Sequence, residues 1–226
     1  MVACAYDARS SRVVLVGDLV NKGPSSAGVV SFARRSGFAC VRGNHDEGAL
    51  DAWARRSAMR ADGAACSPHE KYAYVDAFSA DDVRYLRELP YTLHLAEEGV
   101  LVVHAGVVPG VPLEEQEPQA MCTMRDLFRA SDDAHWRWSS KPSAGGSTAW
   151  AAEWRPDPAN GTAARHVVFG HDARRGLQQH AHTTGLDTGC CYGKRLTALV
   201  LPEWRIVSVQ ARAVHSVADD ERKEKG

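Results

Sequence analysis

The stretch Val13-Val14-Leu15-Val16-Gly17-Asp18-Leu19-Val20-Asn21-Lys22-Gly23-Pro24 runs an apolar segment into a glycine turn that carries an acid, an amide and a base. Val13–Val16 is short, continuous and rich in β-branched residues, so it reads as a buried strand that Gly17 brings to an end. The same pattern returns three times. Ala39-Cys40-Val41 precedes Gly43-Asn44-His45-Asp46, Val100-Leu101-Val102-Val103 precedes His104-Ala105-Gly106, and Val167-Val168-Phe169 precedes Gly170-His171-Asp172. In an open α/β sheet the carboxyl ends of strands converge on one crevice, where sites collect. Asp18, Asn44, His104 and His171, delivered by four strand ends, make a mixed oxygen and nitrogen set that suits Mn, Fe or Zn rather than Ca. The chain therefore reads as a metal-dependent hydrolase of phosphate esters or anhydrides.

Around these motifs, strand and helix signals alternate in the first half. Ser25 or Ser26 starts a helix that Gly37 ends, a second helix is expected over Glu47–Met59, and a third over Ser79–Glu88, where Ser79 precedes Asp81 and Asp82. The second half is richer in strands, expected at Tyr91–Leu95, Leu101–His104, His166–Gly170, Leu196–Leu201 and Arg205–Val209. Trp136–Pro158, dense in Trp, Ser, Gly and Pro, reads as a long loop or cap over the site. His180 and His182 alternate on an expected strand and so share a face.

The 226 residues, 44% of them apolar, are enough for one domain with a proper core. A formal net charge of -1 argues against a broadly basic nucleic-acid surface. There is no apolar run long enough to span a bilayer and no signal peptide at Met1. Cys4, Cys40, Cys66, Cys122, Cys190 and Cys191 show no C-x-x-C spacing, which suits reduced thiols in a cytoplasmic compartment. Residues 1–217 are expected to form the domain and 218–226 a charged, solvated tail.

In order and spacing, the segments GDLVNKGPSS, VRGNHDEGAL, LVVHAGVVPGVPLEEQ and TGLDTGCCYGKRLTALVLP resemble the calcineurin-like metallophosphoesterase superfamily. Within it they resemble the phosphoprotein-phosphatase branch and the ApaH-like phosphatases, relatives of the diadenosine tetraphosphatase, from about Val13 to about Leu201. The resemblance implies an α/β fold in which a two-sheet β-sandwich is flanked by helices. It implies a site for two divalent metal ions (Mn, Fe, Zn, Co or Mg) in which Asp18 bridges and Asn44, His104 and His171 complete the second ion. The branch also has an initial strand ending in Asp-x-His-Gly, and no Asp-x-His occurs between Val2 and Arg12. On this resemblance the chain is expected to lack that strand, its helix and the first-metal pair, and to hold one ion.

The resemblance further implies that His45 protonates the leaving group, with Asn21 standing where an Asp orients that histidine and Lys22 where an Arg binds phosphate. Arg125 matches a second phosphate-binding arginine. Asn21 cannot stabilise imidazolium by charge, and Lys22 offers a point charge rather than a fork. A weakened acid suits a phosphate leaving group, whose second pKa is about 6, better than an alkoxide. Asn21-Lys22 therefore favours a phosphoanhydride: polyphosphate, a dinucleoside polyphosphate or a nucleotide cap. The alternatives are a serine/threonine protein phosphatase-like phosphoesterase, or an impaired fragment or binding module. Asp187 reads as a structural turn residue near the site. Trp136, Trp138, Trp150 and Trp154 read as loop packing in preference to stacking on a nucleobase.

Overall fold

A computed structural model describes residues 4–129, 135–141, 146–158 and 161–216. The expected tail lies outside these residues.

The motif strands sit in two parallel arrangements. Strand β1 (Val14–Leu15) pairs with β2 (Ala39–Cys40), Val14 opposite Ala39 and Leu15 opposite Cys40, and α1 (Ser26–Arg35) connects them. After β2 the chain enters α2 (Asn44–Ala61), then α3 (Ala80–Glu88). It continues through β3 (Thr92–Leu95), β4 (Val100–Val103), α4 (Pro118–Thr123), β5 (Asp126–Phe128), β6 (Arg137–Ser139), β7 (Thr148–Ala149), α5 (Trp150–Glu153), β8 (His166–Phe169), β9 (Gln178–Gln179), β10 (Thr183–Gly185), β11 (Arg195–Val200) and β12 (Arg205–Gln210). The largest sheet has the order β3-β4-β8-β10-β9. Its three inner strands are parallel and its two edges antiparallel.

Strand β4 shows why this sheet is the centre of the molecule. All four of its residues are buried, as a parallel strand covered on both faces requires. Leu101 and Val103 face a cluster with Trp150, Trp154, Leu127 and Phe169. Val100 and Val102, on the opposite face, pack with Val41, Val168, Val14, Val16 and Leu199. The second cluster joins the large sheet to β1–β2 and to the β11–β12 hairpin, giving the expected layers with helices outside them. Burying each such Val, Leu or Phe contributes about 1.5–3 kcal/mol. Among the described residues the sheets number four, because β5, β6 and β7 form a further three-stranded sheet.

That sheet corrects the expectation for Trp136–Pro158. Within the described part of this segment lie β6, β7 and α5, and Trp150 and Trp154 are almost fully buried in the core, Trp150 edge-on against Phe169. Trp138 and Trp136 pack partly buried against the same cluster. Apolar burial organises a stretch whose small polar residues suggested a loop. His180 and His182 are also not on a strand: they lie in the turn between β9 and β10, closed by the His180 N–H donating to the Thr183 carbonyl at 2.9 Å, with His180 exposed and His182 half-buried. The second helix begins at Asn44, three residues earlier than expected, because the Asp46 carboxylate accepts the Gly43 N–H at 2.9 Å and caps it. The third helix is as expected, with Ser79 and Asp82 capping one another. No helix of the described residues is long and apolar enough to cross a membrane.

Candidate metal centre

Register brings the four motif turns to one place. Pairing of β4 with β8, Val102 opposite Val168, sets His104 and His171 beyond the same sheet end, and the Gly170 N–H donates to the His104 carbonyl at 2.8 Å. Pairing of β1 with β2 does the same for Asp18 and Asn44. His104 Nε2 lies 3.2 Å from His171 Nδ1, 3.3 Å from Asn44 Oδ1 and 3.5 Å from Asp18 Oδ1. Ligand atoms of Asp18, His104 and His171 all fall within 4.8 Å of one another.

The hydrogen bonds behind the cluster decide what these atoms are. His104 Nδ1 meets the Val16 carbonyl at 2.7 Å, and His171 Nε2 meets the Thr123 carbonyl at 3.2 Å. A carbonyl only accepts, so each ring spends its N–H there and turns a bare nitrogen toward the centre. Burial, and then the neighbouring His104, push the His171 pKa well below its ordinary value, so that ring stays neutral. Two unprotonated nitrogens, an amide oxygen and a carboxylate thus converge without a proton among them. Four acceptors facing one another repel unless a cation lies between them, so the residues present fit a divalent metal ion.

Backbone strain accompanies the convergence. Asp18, Asn21, Lys22 and His171 all have left-handed φ, at 56°, 70°, 59° and 64°, a conformation that non-glycine residues adopt reluctantly and that gathers at functional sites. Close approach also requires two glycines. A Cβ on Gly17 would lie 2.6 Å from His104 Nδ1, and one on Gly43 would overlap the Asp18 carboxylate. Asp46, fully buried, holds the arrangement from beneath by accepting the N–H groups of Asp18, Leu19 and Gly43, each at 2.9 Å. Burial and the Asp18 charge push its pKa up to about 7, while the Gly43 and Asp18 N–H groups and the nearby His104 pull it back down. Asp46 lies in a motif quoted above, but its supporting role was not read there.

His45 flanks the cluster from the first turn of α2. Its Nε2 is 4.0 Å from Asp18 Oδ2, and its Nδ1 is 3.1 Å from the Asn21 amide nitrogen and 3.3 Å from the Tyr72 hydroxyl. Burial is the main influence lowering its pKa. Lys22 Nζ donates to the Tyr192 hydroxyl at 2.7 Å, and although burial opposes it, this bond and nearby negative groups raise the lysine's pKa, so the charge is secure. Arg125 stands beside His171 with its guanidinium engaged: it donates to the Ser140 carbonyl at 2.8 Å and to the His171 carbonyl at 3.4 Å. Its Nε is 3.6 Å from Asp172. The structure thus brings together every residue singled out for the site, with Arg125 braced against the protein. Tyr72 and Tyr192 are additions that no spacing rule points to, although Tyr192 lies within a segment already noted. Asp187 caps its own turn by accepting the Gly189 N–H at 3.0 Å.

Residues 7–179 match the model of the calcineurin-like phosphoesterase family. A symmetrical bis(5'-nucleosyl)-tetraphosphatase of Aromatoleum aromaticum is 30% identical, over 92% of this chain and 89% of that protein. The protein of the same name from Methylobacillus flagellatus is 28% identical, over 94% of this chain and 89% of its own. A crystal structure provisionally described as a diadenosine tetraphosphatase superposes with a TM-score of 0.76 at 36% identity, covering 92% of this chain and 84% of that one.

Proposed function

Because the chain belongs to the calcineurin-like phosphoesterase family, a family of metal-dependent hydrolases, we propose that it hydrolyses phosphoanhydrides, with a dinucleoside tetraphosphate as the substrate class. The observation that carries this reading is the convergence of four lone-pair atoms beside a secured cation, Lys22, and a proton carrier, His45. Asp18, Asn44, His104 and His171 would hold a divalent cation, which when bound supplies Lewis-acid neutralisation of charge on the phosphoryl group. Lys22 then adds a fixed positive charge on the substrate's side. Tyr192 holds that ammonium in place through its hydroxyl. Arg125, tied to the His171 turn, adds positive potential and shapes the turn more than it grips phosphate. His45 presents Nε2 beside Asp18 and hands its proton to the leaving oxygen as the bridging P–O bond breaks.

The partner at His45 Nδ1 explains the substrate class. Asn21 is neutral and lends the imidazolium no charge, so less of His45 is held protonated as a proton reservoir, and a phosphate leaving group needs little help. Six free cysteines fit a reducing compartment such as the cytoplasm. The test is hydrolysis of diadenosine tetraphosphate by the Mn²⁺-loaded chain, compared with a phosphoserine peptide, with products resolved chromatographically. Symmetrical cleavage yields two molecules of ADP. Preference for the phosphopeptide, or release of ATP and AMP, would overturn the reading.

A further inference from the structure

We propose that Arg175 is a positioning residue for Arg125: its guanidinium ties the His171 turn to the head of β5 and so fixes where the Arg125 charge stands beside the metal centre. This rests on the reading of Arg125 given above, as a source of positive potential for the substrate. Arg175 lies in the turn that follows His171, closed by its own N–H donating to the Asp172 carbonyl at 3.1 Å. One arm of its guanidinium donates to Asp172 Oδ2 at 2.6 Å, and the other to Asp126 Oδ1 at 2.5 Å. Asp126 opens β5, the middle strand of the three-stranded sheet. A single side chain therefore joins the residue after His171 to the residue after Arg125.

Two features carry this link through to Arg125. The first is burial: Asp126 is 3% and Asp172 5% exposed, and buried carboxylates persist only when paired, so both follow the position of Arg175. The second is what each carboxylate does with its other oxygen. Asp126 Oδ2 accepts the Ser147 hydroxyl at 2.9 Å. Asp172 Oδ1 is buried without a hydrogen-bond partner among the described residues and lies 3.6 Å from Arg125 Nε, which is buried and has none either. At Nε, Arg125 is thus held by charge alone, through an ion pair whose geometry is set where Arg175 grips Asp172. Its terminal nitrogens rest on the carbonyls of Ser140, just past β6 in the same small sheet, and of His171. These are the two elements that Arg175 joins, so a slip between them would move both supports of the Arg125 guanidinium.

Arg175→Lys tests the assignment, because it keeps the charge while a single ammonium cannot span both carboxylates. In the metal-free chain, nitrogen-correlated NMR is expected to show the Arg125 Nε–H resonance shifted by this substitution. In the Mn²⁺-loaded chain, kcat/KM on diadenosine tetraphosphate is expected to fall about three- to tenfold, within the coupling usual for side chains of one ion-pair network. In an Arg125→Ala background the same substitution should cost less than about twofold, since the residue it acts through is gone. Equal losses in both backgrounds overturn the proposal and leave Arg175 a clamp of the fold or of the His171 turn; an unmoved Arg125 resonance overturns it too. Should Arg175→Lys fail to fold, Asp126→Asn, which weakens only the β5 arm, takes its place in the same two measurements. If Arg125→Ala by itself leaves hydrolysis unchanged, the reading of Arg125 falls instead, and the resonance alone then decides whether Arg175 positions it.

Discussion

The two sides of the candidate site are built differently. On the sheet side, His104 and His171 follow buried parallel strands, and each ring has one nitrogen tied to a backbone carbonyl. Gly17 and Gly43 leave no room for another residue. On the helix side, His45, Asn21, Lys22 and Tyr72 meet through side chains alone, from a helix and two loops. The first side is fixed by backbone, which suits ligands that must stay bare and aligned. The second is fixed by side-chain hydrogen bonds, which suits groups that move a proton or follow a substrate. Substitutions should therefore act all-or-none on the sheet side and in graded, substrate-dependent fashion on the helix side.

The sheet side should give the largest effect. His104→Ala removes the ring that touches every other ligand and leaves the Val16 carbonyl without its donor. Hydrolysis is expected to fall to the background rate, and Mn²⁺ affinity measured calorimetrically to fall by more than about 100-fold. Retention of tight metal binding would show that the cluster is not the metal site.

His45→Ala should split substrates. Activity on a phosphoserine ester is expected to drop about 10²–10⁴-fold, the usual worth of a general acid, and activity on a tetraphosphate distinctly less. Conversely, Asn21→Asp with Lys22→Arg should help the ester more than the anhydride. Equal sensitivity of both substrates to His45→Ala would show that leaving-group basicity has no part in how Asn21 was selected.

The same contrast explains what could be read in the sequence. Asp18, Asn44, His104 and His171 were legible because each lies just past an apolar strand, directly after a glycine for Asp18, Asn44 and His171 and two residues before one for His104, a local signal that sheet register converts into proximity. Tyr72 was not, since its segment has no apolar period and is located by Arg56, Glu70 and Asp76, charges that ordinarily read as a solvated surface. The helix start at Asn44 was missed for a related reason: Asn-His-Asp carries no apolar stripe, and its cap is an Asp whose side chain turns back to the Gly43 N–H. Trp150 and Trp154 sit in a stretch of small polar residues, where only the three-dimensional packing against Phe169 and Leu127 reveals a core. His180 and His182 show the opposite error, a two-residue period that arises in a turn.

Between these extremes, Gly17→Ala probes backbone fit. The residue has φ of 87°, and its new methyl would meet His104. The left-handed conformation alone should cost about 1–2 kcal/mol. A melting-temperature drop of at least about 2–4 °C is expected, together with weakened metal binding. An unchanged melting temperature would mean that the sheet side is softer than its geometry implies.

The smallest effect should come from Asp76→Asn, which loosens the helix side at a distance. Arg56, then Arg60, hold the Asp76 carboxyl below its ordinary value of 3.8. A carboxylate with a depressed pKa stabilises the fold above its unfolded pKa, and that stabilisation is withdrawn as acid protonates it below 3.8. With 39% of the Asp76 side chain exposed, solvent screening limits the contribution to about 1 kcal/mol at most. The variant should therefore melt slightly below the unmodified protein at pH 7, with the gap closing as the pH falls below 3.8. Because Glu70 and the Ser67 carbonyl still hold Arg56, the loop should stay attached while Tyr72 loses alignment. At pH 7 the expected outcome is a small fall in kcat with Mn²⁺ affinity untouched. A fall in metal affinity in this variant would mean that the two sides are mechanically one unit, and the distinction between backbone-fixed and side-chain-fixed halves would fail.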